Sequence, residues 1–174
     1  MKNDIDRVLF SEEQLQRRIR EMGAEISRDY AGKNPTMVCI LKGAVMFYTD
    51  LLRNIDVPLT MDFMAVSSYG NKTKSSGEVE IRKDLSTSIE NKHVIIVEDI
   101  VDTGNTIVDL MGIVKEKGAK DCKICTMLLK PEVYKKDVTH DYVAMEIPNK
   151  FIVGFGLDYN ELGRNYKDIY ILDE

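Results

Sequence analysis

Apolar and polar positions change their period several times along the chain, and each change marks an element. Leu15, Ile19, Met22, Ile26 and Tyr30 recur every three or four residues after Ser11-Glu12-Glu13-Gln14, which has the form of a capping box. The spacing predicts an amphipathic helix of about five turns. Gly32-Lys33-Asn34-Pro35 stops it. Thr36 to Leu41 is then almost continuously apolar, the pattern of a strand buried on both faces. Beyond Lys42-Gly43, Ala44 to Asn54 reads as a second helix and Leu59 to Ser67 as a second strand.

Ser68 to Glu78 holds Gly, Ser and Lys without apolar period, so a long loop is expected there, and loops of that length in compact domains are often lids. Val79 to Arg82 reads as a short strand and His93 to Glu98 as another. Thr106 to Lys117 is a helix closed by Gly118, and Cys122 to Leu129 is a further strand. This alternation predicts parallel βαβ units with helices on both sheet faces. The last third differs: Tyr142 to Ile147, Phe151 to Phe155 and Ile169 to Leu172 are short strand-like pieces joined by polar turns. They suggest a small cap on the sheet. No internal repeat, low-complexity tract or linker interrupts the 174 residues, so one domain is expected.

Composition narrows the picture. With 24 Lys+Arg against 29 Asp+Glu the net charge is −5 and the pI near 5.2. That balance argues against a protein that coats duplex DNA, whose affinity comes largely from cations on phosphates. No apolar run approaches the roughly 20 residues of a membrane span. Met1-Lys2-Asn3-Asp4-Ile5-Asp6-Arg7 has no apolar segment of a signal peptide, so a cytoplasmic location is expected. Cys39, Cys122 and Cys125 are three in number, which fits a reducing compartment. Cys122 and Cys125 fall on opposite faces of a strand and read as core residues, not as metal ligands.

The chemistry lies in Val94-Ile95-Ile96-Val97-Glu98-Asp99-Ile100-Val101-Asp102-Thr103-Gly104-Asn105-Thr106. Four apolar residues place a strand in the sheet centre, and two acids end it at the carboxyl edge, where open α/β sheets bind ligands. Asp102 to Thr106 then turns into a helix, so free backbone N–H groups, two hydroxyls and the positive helix end converge as a phosphate cradle. Asp and Thr also cap ordinary helices. The apolar strand with Glu98-Asp99 in front favours the cradle. Acids beside an anion site suit a sugar phosphate: carboxylates take ribose hydroxyls or a metal, and the cradle takes the phosphate.

In these residues the chain resembles the type I phosphoribosyltransferases, and within them the hypoxanthine-guanine phosphoribosyltransferase family in its short bacterial form. Leu41-Lys42-Gly43 resembles that family's pyrophosphate loop, in which a non-proline cis peptide often precedes the Lys, and Ser68-Tyr69 resembles the start of its lid. Lys130, Glu146 to Gly154, Leu157-Asp158-Tyr159-Asn160-Glu161 and Arg164 have the order and spacing of its purine-binding hood. The resemblance runs from about Leu41 to Leu172.

It implies an α/β fold with a central, mainly parallel sheet flanked by helices, a core over residues 10–129 and a small C-terminal hood over residues 130–174. It further implies transfer of 5-phosphoribosyl from phosphoribosyl pyrophosphate to N9 of hypoxanthine or guanine, giving IMP or GMP and pyrophosphate, with Mg²⁺. Asp102 is implied as general base. Glu98, Asp99, Asp102, Thr103, Gly104, Asn105 and Thr106 would hold the phosphoribosyl group, and Lys42, Gly43 and Arg164 the pyrophosphate. Lys130, Phe151, Ile152 and Asp158 would hold the purine, with Glu98, Asp99 and Asp158 as metal ligands. A homodimer or homotetramer is the family expectation.

Taken singly, these residues have plainer readings: Phe151 as core, Lys130 as a solvated surface residue, Arg164 as a surface ion pair and Asp158 as turn chemistry. Asn105 stands where some relatives carry Lys, and Pro131 where some carry Arg. His93 and His140 lie outside the motifs, as a strand edge and a loop residue. Two competing functions are a nucleotide-sensing regulator on the same fold, for which a basic face is missing, and a xanthine-preferring transferase. Lys130 can donate and not accept, which favours an oxygen over an amino group at purine C6.

Overall fold

A computed structural model describes residues 5–68 and 79–172. Twelve elements follow in chain order: β1 (Ile5–Phe10), α1 (Glu12–Asp29), β2 (Thr36–Leu41), α2 (Val45–Leu52), β3 (Thr60–Ser68), β4 (Val79–Lys83), β5 (His93–Val101), α3 (Asn105–Glu116), β6 (Asp121–Leu129), β7 (Tyr142–Glu146), β8 (Ile152–Val153) and β9 (Ile169–Leu172). Ser68 closes β3. Tyr69 and the rest of the expected lid loop through Glu78 lie outside the described residues.

Helix α1 starts where the capping box predicts. Ser11 Oγ accepts from Gln14 N–H at 3.3 Å and Gln14 Oε1 from Ser11 N–H at 2.9 Å. Its buried stripe is Leu15, Ile19, Met22, Gly23 and Ile26. This stripe and Phe47, Tyr48 and Leu51 of α2 pack on one face of the main sheet, with Met37 and Cys39 of β2 and Ile95 and Val97 of β5. Ile107, Leu110 and Val114 of α3 cover the other face, against Val38, Ile40, Val94 and Ile96. Cys125 belongs to the first layer and the half-buried Cys122 packs against the second, so the two thiols stand on opposite faces as expected, and all three cysteines are free.

The main sheet has six strands in the order β4-β3-β2-β5-β6-β7, and only β4 runs antiparallel, against β3. From β2 the chain winds outward to β3 and β4. From β5 it winds the other way to β6 and β7. The switch in direction therefore falls between β2 and β5, the place where a crevice opens beyond the carboxyl ends of the strands.

Three boundaries differ from the sequence expectation. Strand β5 does not stop at Glu98: it pairs with β2 only through Val97 but with β6 through Val101. The acids are thus at the end of one ladder and inside another. Tyr142 to Glu146 is not part of the cap but the sixth strand of the main sheet, parallel to β6, reached through residues 130–141 without a helix. The small sheet of the hood has the order β1-β9-β8, and its first strand, β1, comes from before the expected core.

Candidate active site

Gly104, at φ +88°, is the N-cap of α3, and no side chain caps the helix. The first N–H groups of α3 therefore point outward without intrahelical acceptors. Asp102, Thr103 and Asn105 are exposed and Thr106 is half-buried around them. Among the described residues the carboxylate of Asp102 and the hydroxyls of Thr103 and Thr106 have no hydrogen-bond partner. The turn is thus not spent on capping its own helix. Glu98, Ile100, Val101 and residues 102–107 enclose about 200 Å³ there. One wall comes from an unexpected source: a Cβ on Gly104 would overlap the Tyr134 ring and meet Lys136 Cγ at 3.0 Å. Tyr134 is itself braced edge-on by the His140 ring, with centroids 4.4 Å apart. His140 thus lies packed in a loop with neither ring nitrogen bonded, and burial holds its pKa below the ordinary value despite the neighbouring Asp141.

The two acids sit side by side. Glu98 is buried, and burial first, then the charge of Asp99, pushes its carboxyl well above the usual range. Burial also raises Asp99, opposed by the Ile100 N–H donated to Asp99 Oδ1 at 2.7 Å, by a hydrogen bond with Glu98 and by the charge of Arg164. A change of facing along β5 accompanies the pairing. Through Val97 the odd residues of β5 face the first core layer and the even ones the second. Beyond the acids this inverts, with Ile100 packing on the first layer and Val101 in the second. The ladder to β6 keeps one register from His93 to Val101 through this change of facing, and the neighbouring carboxyls, which an evenly alternating strand would separate, meet there.

Across the crevice, Leu41-Lys42 is a cis peptide. A Cβ on Gly43 would overlap Asp99 Oδ2, and one on Gly156 would overlap the Gly43 carbonyl. Backbone, acid and hood backbone are stacked in contact, which only glycine permits at those two positions. Lys42 Nζ lies 2.9 Å from Glu161 Oε2. Arg164 reaches Asp158 Oδ1 at 2.7 Å and Glu161 Oε1 at 3.8 Å through Nη2. Its Nη1 donates to the Gly156 carbonyl at 2.9 Å, and its buried Nε has no partner. Asp158 also accepts the Glu161 N–H at 2.8 Å.

A hard divalent cation takes oxygen ligands, and one of magnesium's size is usually held by one or two carboxylates plus water and substrate oxygens. The Glu98-Asp99 pair fits that demand. Two buried carboxyls in mutual contact are costly as two charges, and a cation relieves them. Asp158 is ion-paired to Arg164 and does not complete a cage with them: among the described residues no group of three or more His, Cys, Asp or Glu side chains could hold a metal.

In the hood, Phe151 is 72% exposed, so it is no core residue, while Ile152 beside it is buried in β8. Lys130 starts where β6 ends, its N–H on the Val101 carbonyl at 3.0 Å, and its ammonium meets Asn149 Oδ1 at 3.4 Å. The crevice thus gathers Lys42, Gly43, Asp99, Asp158 and Arg164 on one side and the 102–106 turn beside them. Glu161 and Tyr134 are the additions that sequence reasoning left without a role. His93 bonds Asp121 at 2.6 Å at the opposite, amino end of β5.

The Phosphoribosyl transferase domain family matches residues 9–160. A hypoxanthine-guanine phosphoribosyltransferase of Streptococcus thermophilus (strain CNRZ 1066) is 49% identical over 174 residues, covering 100% of this chain and 97% of the relative. One from Bacillus subtilis (strain 168) is 48% identical, covering 99% and 96%. The crystal structure of a hypoxanthine phosphoribosyltransferase from Staphylococcus aureus superposes with a TM-score of 0.94 at 46% identity, over 99% of this chain and 94% of the other.

Proposed function

The chain belongs to the phosphoribosyltransferase family, in its hypoxanthine-guanine branch, and from that premise we propose how its own residues carry the reaction. The enzyme moves 5-phosphoribosyl from phosphoribosyl pyrophosphate to N9 of a 6-oxopurine. The bond from ribosyl C1′ to the pyrophosphate oxygen breaks and the N9–C1′ bond forms. The observation that carries the assignment is the crevice at the switch between β2 and β5, where an uncapped helix start and a buried acid pair lie together and the Asp99 side chain touches the Lys42-Gly43 turn.

The N–H groups and hydroxyls of residues 102–106 take the 5′-phosphate. Glu98 and Asp99 would hold the ribose hydroxyls and the magnesium that family membership implies, which would supply charge neutralisation for the anionic substrate. Lys42, Gly43 and Arg164 receive the leaving pyrophosphate, whose growing negative charge is what an ammonium and a guanidinium stabilise. The Asp102 carboxylate, unpaired on the lip of the cradle, takes the N7 proton as N9 attacks. Phe151 stacks on the purine beside Ile152, Lys130 donates to its C6 oxygen, and Asp158 lies at the join of the purine and pyrophosphate subsites.

Initial rates with hypoxanthine, guanine, xanthine and adenine at saturating phosphoribosyl pyrophosphate and Mg²⁺ test this reading. Turnover of hypoxanthine and guanine is expected, with adenine excluded because Lys130 offers its amino group no acceptor. Preferred turnover of adenine would overturn the role of Lys130, and no turnover of any base would overturn the enzyme reading.

A further inference from the structure

After Asp158 the chain folds back on itself in a two-residue hairpin. Tyr159 N–H donates to the Leu162 carbonyl at 2.9 Å and Leu162 N–H to the Tyr159 carbonyl at 3.1 Å. Between them Asn160 at φ +51° and Glu161 at φ +65° are both left-handed. Such a turn favours Asn-Gly, because a side chain at the second position crowds its own backbone. Asn160 suits its place and Glu161 does not. A strained residue of this kind persists where its surroundings or its task hold it.

The task is visible in where the side chain goes. One Glu161 oxygen is 2.9 Å from Lys42 Nζ and the other 3.8 Å from Arg164 Nη2. Its backbone is fixed by the 2.8 Å hydrogen bond from its N–H to Asp158. One carboxylate therefore spans both cations that the proposed function gives to pyrophosphate, from a position 119 residues beyond Lys42. Glu161 and Lys42 are both mostly exposed, at 68% and 69% of their side chains. A solvent-screened pair of this sort is weak enough to be exchanged for a better anion.

We propose that Glu161 is a resident counter-anion of the pyrophosphate subsite: its carboxylate holds Lys42 and Arg164 while no diphosphate is present, and the diphosphate displaces it on entry. Glu161 is a positioning residue that acts through the two cations. It keeps them aimed into the crevice, lowers the affinity for pyrophosphate and so speeds release of that product. The inference rests on the assignment of Lys42 and Arg164 to pyrophosphate.

The test measures pyrophosphate binding, as Kd and as product inhibition, together with IMP binding, for Glu161→Gln, Glu161→Gly and Lys42→Ala. Removing the carboxylate is expected to tighten pyrophosphate binding by about threefold to fivefold, the range of one or two exposed charge pairs. IMP binding stays unchanged. The gain shrinks at ~1 M salt, where the screening length falls to about 3 Å. Glu161→Gly gives the same tightening with a raised Tm, because it also relieves the left-handed position. In a Lys42→Ala background the gain from Glu161→Gln falls by half or more. If Lys42→Ala weakens pyrophosphate but Glu161→Gln leaves it equal or weaker, the counter-anion role is overturned and the subsite stands. If Lys42→Ala leaves pyrophosphate binding unmoved, the subsite itself is misassigned and the inference falls with it.

Discussion

At the scale of single residues, chemistry depends on side chains left without internal partners. The Asp102 carboxylate is exposed beside an uncapped helix and bonds nothing else among the described residues. Asp102→Asn keeps the shape and removes the basicity, so turnover is expected to fall by ~10²–10⁴-fold while KM for phosphoribosyl pyrophosphate stays within a small factor. Steady-state rates decide it, and unchanged turnover would remove Asp102 from the base role. The run Asp102 to Thr106 is legible in the sequence because its parts are contiguous, and a turn between an apolar strand and a helix leaves them little freedom. Glu161 meeting Lys42 is not legible, nor is Tyr134 walling Gly104, because neither contact has a local pattern. Both are products of how the hood and the 130–141 connection fold over the sheet.

At the scale of elements, the buried Asp62 in β3 ties a loop to the sheet. Its carboxylate accepts N–H groups of Phe63 at 2.8 Å, Ser86 at 2.9 Å and Thr87 at 3.1 Å, and the Thr87 hydroxyl at 3.2 Å. Burial raises its pKa, but these donors outweigh burial and the net shift is downward. A depressed folded pKa means that stability is fully present above the ordinary carboxylate range, about 4, and is lost as pH falls through the folded value. Asp62→Asn is therefore expected to cost about 1–3 kcal/mol near neutrality, a gap that closes in acid. Urea midpoints at a series of pH values from neutral to acid measure it, and a gap independent of pH would refute the linkage. The same scale shows why α1 was legible while β7 was read as a strand but not as part of the main sheet. Five apolar residues at helical period define α1, whereas a parallel crossover without a helix lacks the signal by which parallel strands are recognised.

At the scale of the whole molecule, hood and core meet through backbone. A Cβ at Gly156, where φ is +99°, would overlap the Gly43 carbonyl, while Gly32, at φ +75°, has open space around it. Gly32→Ala therefore meets only the left-handed cost, about 1–2 kcal/mol. Gly156→Ala adds a collision with the Gly43 carbonyl in the turn proposed to bind pyrophosphate, so a larger fall in Tm is expected, with a raised KM for phosphoribosyl pyrophosphate that Gly32→Ala does not show. Equal effects at the two glycines would refute the coupling. The α/β sandwich was legible because its strands and helices alternate. The makeup of the hood was not, because β1 buries no residue fully and gives no alternation to read.

That strand pairs antiparallel with β9, Ile5 opposite Leu172 and Phe10 opposite Ile169. Seen as a sequence of events on the ribosome, the pairing sets a timetable. Chain grows at roughly 5–20 residues per second, so β1 is made first and waits on the order of ten to thirty seconds for its partner. Every strand of the main sheet is complete before then. Asp6 and Arg7, exposed near the start of β1, are residues of the kind that discourage a lone strand from adding itself to a foreign edge. The strands of the main sheet are thus all synthesised before the small sheet can be completed, and a chain that stops short of Ile169 lacks β9, the strand that joins β1 to β8.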